Sequence, residues 1–152
     1  QTWKRAIMRL TSFTDFGLRA LMRMASDPNR AWNTGEVADE FGISRHHLTK
    51  TIALLANAGI VETKRGGGGG AKLAKPANQI RLGDIVRVLE RHQALVECFQ
   101  ASGNKCSITP VCRLKGLLNR AETAFLASLD EFTLADCNLP DQFAVVQTEL
   151  AL

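Results

Sequence analysis

The chain has 152 residues, 45% of them hydrophobic and 22% charged, with a net charge of +4. That length suits one sizeable domain, or a small domain with an appendage. Its apolar stretches are broken by charges well short of membrane-spanning length, and the first residues show no secretory signal, so no transmembrane helix and no membrane partner are expected, and a cytoplasmic location is.

Charge divides along the chain. Residues 1–75 hold 12 Lys/Arg against 6 Asp/Glu, and residues 76–152 hold 7 against 9. A basic half joined to a slightly acidic one suggests a polyanion reader coupled to a second function; the plain alternative is a solvated basic surface. Gln1–Ile7 reads as an extension ahead of a natural start at Met8. Phe16, Leu18, Leu21, Met22 and Ala25 then recur at helical spacing, with an N-cap expected at Thr14 or nearby and a turn at Asp27-Pro28-Asn29. Thr34 is the expected N-cap of a short helix carrying Val37, Ala38 and Phe41, which Gly42 ends in a left-handed turn. Ser44 caps the next helix, through Leu48, Ile52, Leu55 and Ala56. Short helix, glycine turn and second helix make a helix-turn-helix signature.

Gly59–Thr63 and Ala71–Pro76 read as two strands joined by Lys64-Arg65 and five glycines, Gly66–Gly70. That is a β-hairpin wing with a basic tip. The glycine run lacks the Gly-Lys-Ser/Thr ending of a nucleotide loop and opens no helix. A further amphipathic helix carries Ile80, Leu82, Ile85, Val86 and Leu89. A long periodic run follows the cysteines: Leu114, Leu117, Leu118, Ala121, Phe125 and Leu129. Its apolar stripe either packs on the wing-side helices or pairs with a second copy, and the second reading is preferred because helix-turn-helix proteins dimerise to read two half-sites. Thr133–Asp136 reads as a last helical turn.

Between these helices Cys98, Cys106 and Cys112 fall in one loop rich in Gly, Ser, Asn and Pro, with gaps of seven and five residues. Zinc prefers four closed ligands with a short Cys-x(2–4)-Cys knuckle, which this loop lacks. A disulfide would strand one thiol. An iron–sulfur cluster accepts wider cysteine spacing and a non-cysteine fourth ligand, and is the preferred reading; unmetallated or redox thiols stay open. Cys137 reads as a buried inert thiol rather than a fourth ligand. On the second helix of the helix-turn-helix, Ser44, Arg45, His46, His47, Thr49 and Lys50 occupy the end that enters the major groove, where they hold bases or phosphates. Arg65 at the wing tip suits a minor-groove or phosphate contact, against the alternative of a solvated turn arginine. No nucleotide fingerprint or nucleophile–base pair is visible, so an enzyme is not expected.

The segments Met8–Leu21, Gly42-Ile43-Ser44-Arg45-His46-His47, Lys64-Arg65-Gly66 and the loop ending Thr109-Pro110-Val111-Cys112-Arg113-Leu114 resemble the iron–sulfur winged-helix transcriptional repressors, the NsrR, IscR and RirA type, over about residues 8–138. Ser12-Phe13-Thr14-Asp15 and Ile108–Leu114 look most like the nitric-oxide-sensing NsrR branch. The resemblance implies a mainly α fold. It contains a winged helix-turn-helix DNA-binding domain over 8–78, a cluster loop with dimerisation helices over 79–138, and a tail over 139–152. It implies a homodimer on double-stranded operator DNA with a 2Fe–2S or 4Fe–4S cluster on Cys98, Cys106 and Cys112. Asp15 from the partner subunit would be the fourth ligand, and nitric oxide the signal. An IscR-type histidine three residues beyond the last cysteine is replaced by Lys115, and the first cysteine gap is longer than in relatives. A same-family regulator of iron supply or oxidants, or an electron-transfer protein that does not bind DNA, are the alternative functions.

Overall fold

The computed structural model describes residues 9–140. The expected extension over residues 1–7, the start at Met8 and the tail from 141 onward lie outside the described residues.

Among the described residues five α-helices and one two-stranded antiparallel sheet follow each other as α1 (Ser12–Ser26), α2 (Thr34–Phe41), α3 (Arg45–Asn57), β1 (Val61–Lys64), β2 (Gly70–Leu73), α4 (Leu82–Leu89) and α5 (Arg113–Asp130). The fold is the expected mainly α winged helix-turn-helix. Helix α1 buries Thr14, Gly17, Ala20, Leu21 and Met24, one stripe at helical spacing. Its cap corrects the sequence reading. Thr11, not Thr14, is the N-cap, and its side chain accepts from the Thr14 amide. The choice is made by Glu90, whose Oε1 accepts from Thr11 N and Thr11 Oγ1 at 2.8 Å each and from the Thr14 hydroxyl. Thr14 is thus a fully buried member of the first turn.

Helix α2 is likewise capped one residue earlier than expected. Asn33 Oδ1 accepts from the amides of Gly35 and Glu36 at 2.8 and 3.2 Å, satisfying two of the orphan donors of the first turn. Gly42 ends the helix at φ +63°, ψ +35°, and its backbone N–H returns to α2 carbonyls. Ser44 caps α3 as expected. The strands pair Val61 with Leu73 through Lys64 with Gly70. An isolated bridge beside the hairpin was not expected: Trp32 exchanges both backbone hydrogen bonds with Ala71 at 2.8 Å, which roots the wing in the domain. A Cβ on Gly70 would stand 2.5 Å from the Trp32 carbonyl oxygen, so only glycine permits this approach.

The core joins Leu21, Met24, Trp32, Val37, Leu48, Leu55 and Val61 to Ile80, Ile85, Leu89 and Leu134. It therefore takes side chains from both sides of position 78. The chain returns to it after α5, where Leu134 N donates to Ile80 O at 2.8 Å and Thr133 with Asp136 forms a capping box. Cys137, expected to be buried, is only half-buried, because this last turn buries Leu134 instead.

Candidate nucleic-acid interface and cysteine loop

The pattern of α3 separates two faces. Leu48, Thr51, Ile52 and Leu55 are buried, whereas Ser44, Arg45, His46, His47, Thr49 and Lys50 are all exposed. Positions 46, 49, 50, 53 and 57 recur at helical spacing along the outer face. Ala53 belongs to this face and was missed by the sequence reading, because a lone alanine carries no signal until the buried side is known. Thr51 is kept inside by donating its hydroxyl to His47 O at 2.9 Å. The rings of His46 and His47 lie 6.1 Å apart, tilted by 47°.

Arg45 does not project freely. Its Nε donates to Asp39 Oδ1 at 3.2 Å and its Nη2 to Asp39 Oδ2 at 2.5 Å, and this pairing raises the guanidinium pKa further. Asp39, on α2, was not singled out from the sequence, since an i, i+6 pair spanning a turn has no helical spacing to announce it. Lys64 and Arg65 stand exposed at the end of β1, beside the glycine tip. Across the hairpin Glu62 pairs with Lys72 at 2.9 Å, so part of the wing's charge is spent internally.

The cysteine loop is braced by its own polar groups. Glu97 Oε1 accepts from Lys105 N at 2.6 Å, Asn104 Oδ1 from Cys106 N at 3.0 Å, and Cys106 O from Thr109 Oγ1 at 2.9 Å. All four cysteines are free and half-buried. Cys98 and Cys112 line one open cavity of about 560 Å³ with Phe99, Lys115, Gly116, Asn119 and Glu122; Cys106 is outside that lining. Glu122 also lines the neighbouring cavity, which reaches Arg9, Leu10 and Thr11 at the start of α1. Among the described residues no three His, Cys, Asp or Glu side chains stand close enough to hold a metal ion. Asp15 is on α1, where it pairs with Arg19 at 2.6 Å, and it does not line the cysteine cavity.

As a donor set the loop fits an iron–sulfur group. It offers three thiols on one segment, two of them already facing a shared cavity. The N-terminal turn of the 18-residue α5 begins at Cys112 and brings a positive dipole end to that cavity, with Lys115 beside it, which suits an anionic ligand set.

Helix α5 has no buried residue. Phe125 and Leu126 line a cavity with α4, and Arg87 fastens the helix end by two bonds to Asp130 at 2.7 and 2.6 Å. The N-terminal half of the helix leaves its apolar side chains open: Leu114 is 59% exposed and Leu117 58%, and Ile108 and Val111 extend this surface into the loop.

This architecture defines a winged-helix DNA-binding regulator. Residues 10–138 match the Rrf2 family of iron-dependent transcriptional regulators, and the chain belongs to that family, whose members are regulators and not enzymes. Among solved structures it is similar to CymR, the global cysteine regulator of B. subtilis, with 26% identity over 86% of this chain and 95% of that one, at a TM-score of 0.65. The IscR of T. potens is 27% identical over 86% and 85% of the two chains, at 0.65. The oxidized form of Staphylococcus aureus CymR is 27% identical over 84% and 93%, at 0.63. No helix among the described residues is long and apolar enough to cross a membrane.

Proposed function

We propose that this regulator is a cytoplasmic, homodimeric repressor that carries an iron–sulfur cluster on Cys98, Cys106 and Cys112 and leaves its operator when nitric oxide reaches that cluster. The observation that carries the reading is three free, half-buried thiols carried on one braced loop, two of them on a shared cavity, at the head of a helix with an open apolar stripe, all appended to a DNA-reading unit. Residues 8–78 act as the reader and 79–138 as the sensing and pairing segment. Ser44, Arg45, His46, His47, Thr49 and Lys50 meet the major groove, and Arg65 holds the backbone or minor groove beside it. The stripe of Leu114 and Leu117 pairs two copies, setting two α3 helices about 34–36 Å apart for successive half-sites.

The three cysteines supply thiolates, and Asp15 of the partner subunit supplies the fourth ligand. When bound, the cluster would provide iron that reacts with nitric oxide. Asp15 then ties the loop of one protomer to α1 of the other; α1 packs directly on α3, so the tie reaches the DNA-reading helix. Freed from that tie, Asp15 keeps Arg19 as its partner within its own chain.

Anaerobic reconstitution followed by iron and sulfide analysis tests the ligand set. Wild-type protein is expected to hold a cluster, Cys98→Ala, Cys106→Ala and Cys112→Ala to lose it, and Cys137→Ala to keep it. A full iron and sulfide complement in all three loop variants overturns the assignment. A second reading, direct thiol sensing, is favoured by the placement of Cys98 and Cys112 on one cavity and by the likeness to CymR, described as a cysteine regulator. It predicts DNA binding by cluster-free protein that responds to thiol oxidation alone.

A further inference from the structure

The geometry points to Asp39 and Arg45 acting as a neutral, pre-oriented pair that reads a guanine in each half-site, with Asp39 as the positioning residue. The inference rests on α3 being the DNA-reading helix. Three observations carry it. Asp39 grips Arg45 through two bonds, from Nε and from Nη2, so the guanidinium plane is fixed before DNA arrives. Gly35 lies beneath: a Cβ there would stand 3.5 Å from Cζ and Nη1 of Arg45, so the group is seated against the first turn of α2. Both side chains nevertheless stay open to solvent, at 67% and 62% exposure, where the groove would meet them.

With Nε and one Nη2 hydrogen committed, the Nη1–Nη2 edge remains, a pair of parallel donors. Such an edge matches guanine O6 and N7, and it also matches a phosphate. Charge decides between them. Asp39 cancels the unit charge of Arg45, and counterion release follows the number of phosphates neutralised. Coulomb energy falls as 1/r, so a carboxylate about twice as far from a phosphate as the guanidinium removes about half of the attraction. A guanine edge is uncharged and loses nothing in this way. Lys50, Lys64 and Arg65 pair with no carboxylate in a salt bridge among the described residues, and they suit the phosphate role that Arg45 does not.

The test starts with a duplex that the wild-type dimer enriches from a randomised 30-base-pair library. Affinities for it and for its single-base variants are then measured by fluorescence anisotropy at several salt concentrations. The double variant Asp39→Ala/Arg45→Ala, which removes the pair without changing the net charge, is expected to lose about 5- to 100-fold discrimination at one G·C pair per half-site, with an unchanged slope of log K against log salt. Asp39→Asn is expected to weaken discrimination at the same pair. It should also steepen the slope by about one per protomer, as the released guanidinium turns to phosphate. Asp39→Glu should recover both, which a merely structural role for Asp39 would not require. Uniform weakening of all duplexes by the double variant with a shallower slope would make Arg45 a phosphate contact and overturn the inference, as would an Asp39→Asn protein unchanged in both readouts. If wild-type protein enriches no sequence, the DNA-reading role of α3 fails first and this inference with it.

Discussion

Leu117→Asp is the sharpest probe of how two copies meet. Leu117 is 58% exposed on a helix without a buried residue. Full burial of a leucine contributes about 1.5–3 kcal/mol, so covering the open part is worth about 1–1.7 kcal/mol per copy. A two-fold interface contains the residue twice, which doubles the loss to about 2–3.5 kcal/mol. At about 1.4 kcal/mol per tenfold, the dimer dissociation constant rises about 30- to 300-fold from lost burial alone. The new carboxylate adds a desolvation cost, placing the variant in the upper part of that range or beyond. Sedimentation equilibrium measures the constant directly. The monomer should remain folded, with its stability changed by about 0.5 kcal/mol or less, because most of the side chain is open to solvent in the single chain. A dimer constant within about threefold of wild type, in a folded variant, would refute pairing through this stripe.

Three other perturbations test the frame that positions the site. Gly42→Ala is expected to lower unfolding free energy by about 1–2 kcal/mol in urea titrations, purely through the left-handed backbone, since nothing lies within 4 Å of the new Cβ; an unchanged midpoint would contradict this. Glu90→Ala leaves Thr11 N, Thr11 Oγ1 and the buried Thr14 hydroxyl without their acceptor, and should cost about 2–3 kcal/mol; a loss below about 0.5 kcal/mol would show that the α1–α4 tie is dispensable. Asp130→Asn addresses pH. The hydrogen bonds from Arg87 hold the Asp130 carboxyl below its ordinary value of 3.8, so its stabilising contribution is complete above that value and lost as pH falls through the lowered one. Thermal melts should therefore show wild type ahead of the variant at neutral pH and the gap closing as pH falls below the ordinary carboxylate value; a constant gap would contradict the linkage.

The sequence carried the helix-turn-helix, the wing and the long helix because each has a local signature. Gly42 stops α2, Ser44 starts α3, and leucines repeat along α5. What it could not supply depends on distant partners. Two threonines compete to cap α1, and Glu90, 79 positions from Thr11, decides between them. The bridge that roots the wing needs Trp32 and Ala71 to meet across 39 residues. The exchange of Arg45 from a free cation to half of a pair follows from the angle between α2 and α3, which no spacing rule encodes. The cysteines were legible as residue types in one loop, and the sharing of a cavity by Cys98 and Cys112 emerged only once α5 was laid beside them.

DNA reading and a nitric-oxide-sensitive cluster on the cysteine loop are joined in the proposed function. The direct measurement is a nitric oxide titration of anaerobically reconstituted protein bound to its enriched duplex, followed together by cluster absorbance and fluorescence anisotropy. Anisotropy is expected to fall in step with cluster loss, with at least about a hundredfold weakening, or about 2.7 kcal/mol, and Cys98→Ala protein is expected to show no such response. DNA binding that persists unchanged after the cluster absorbance has gone would contradict it.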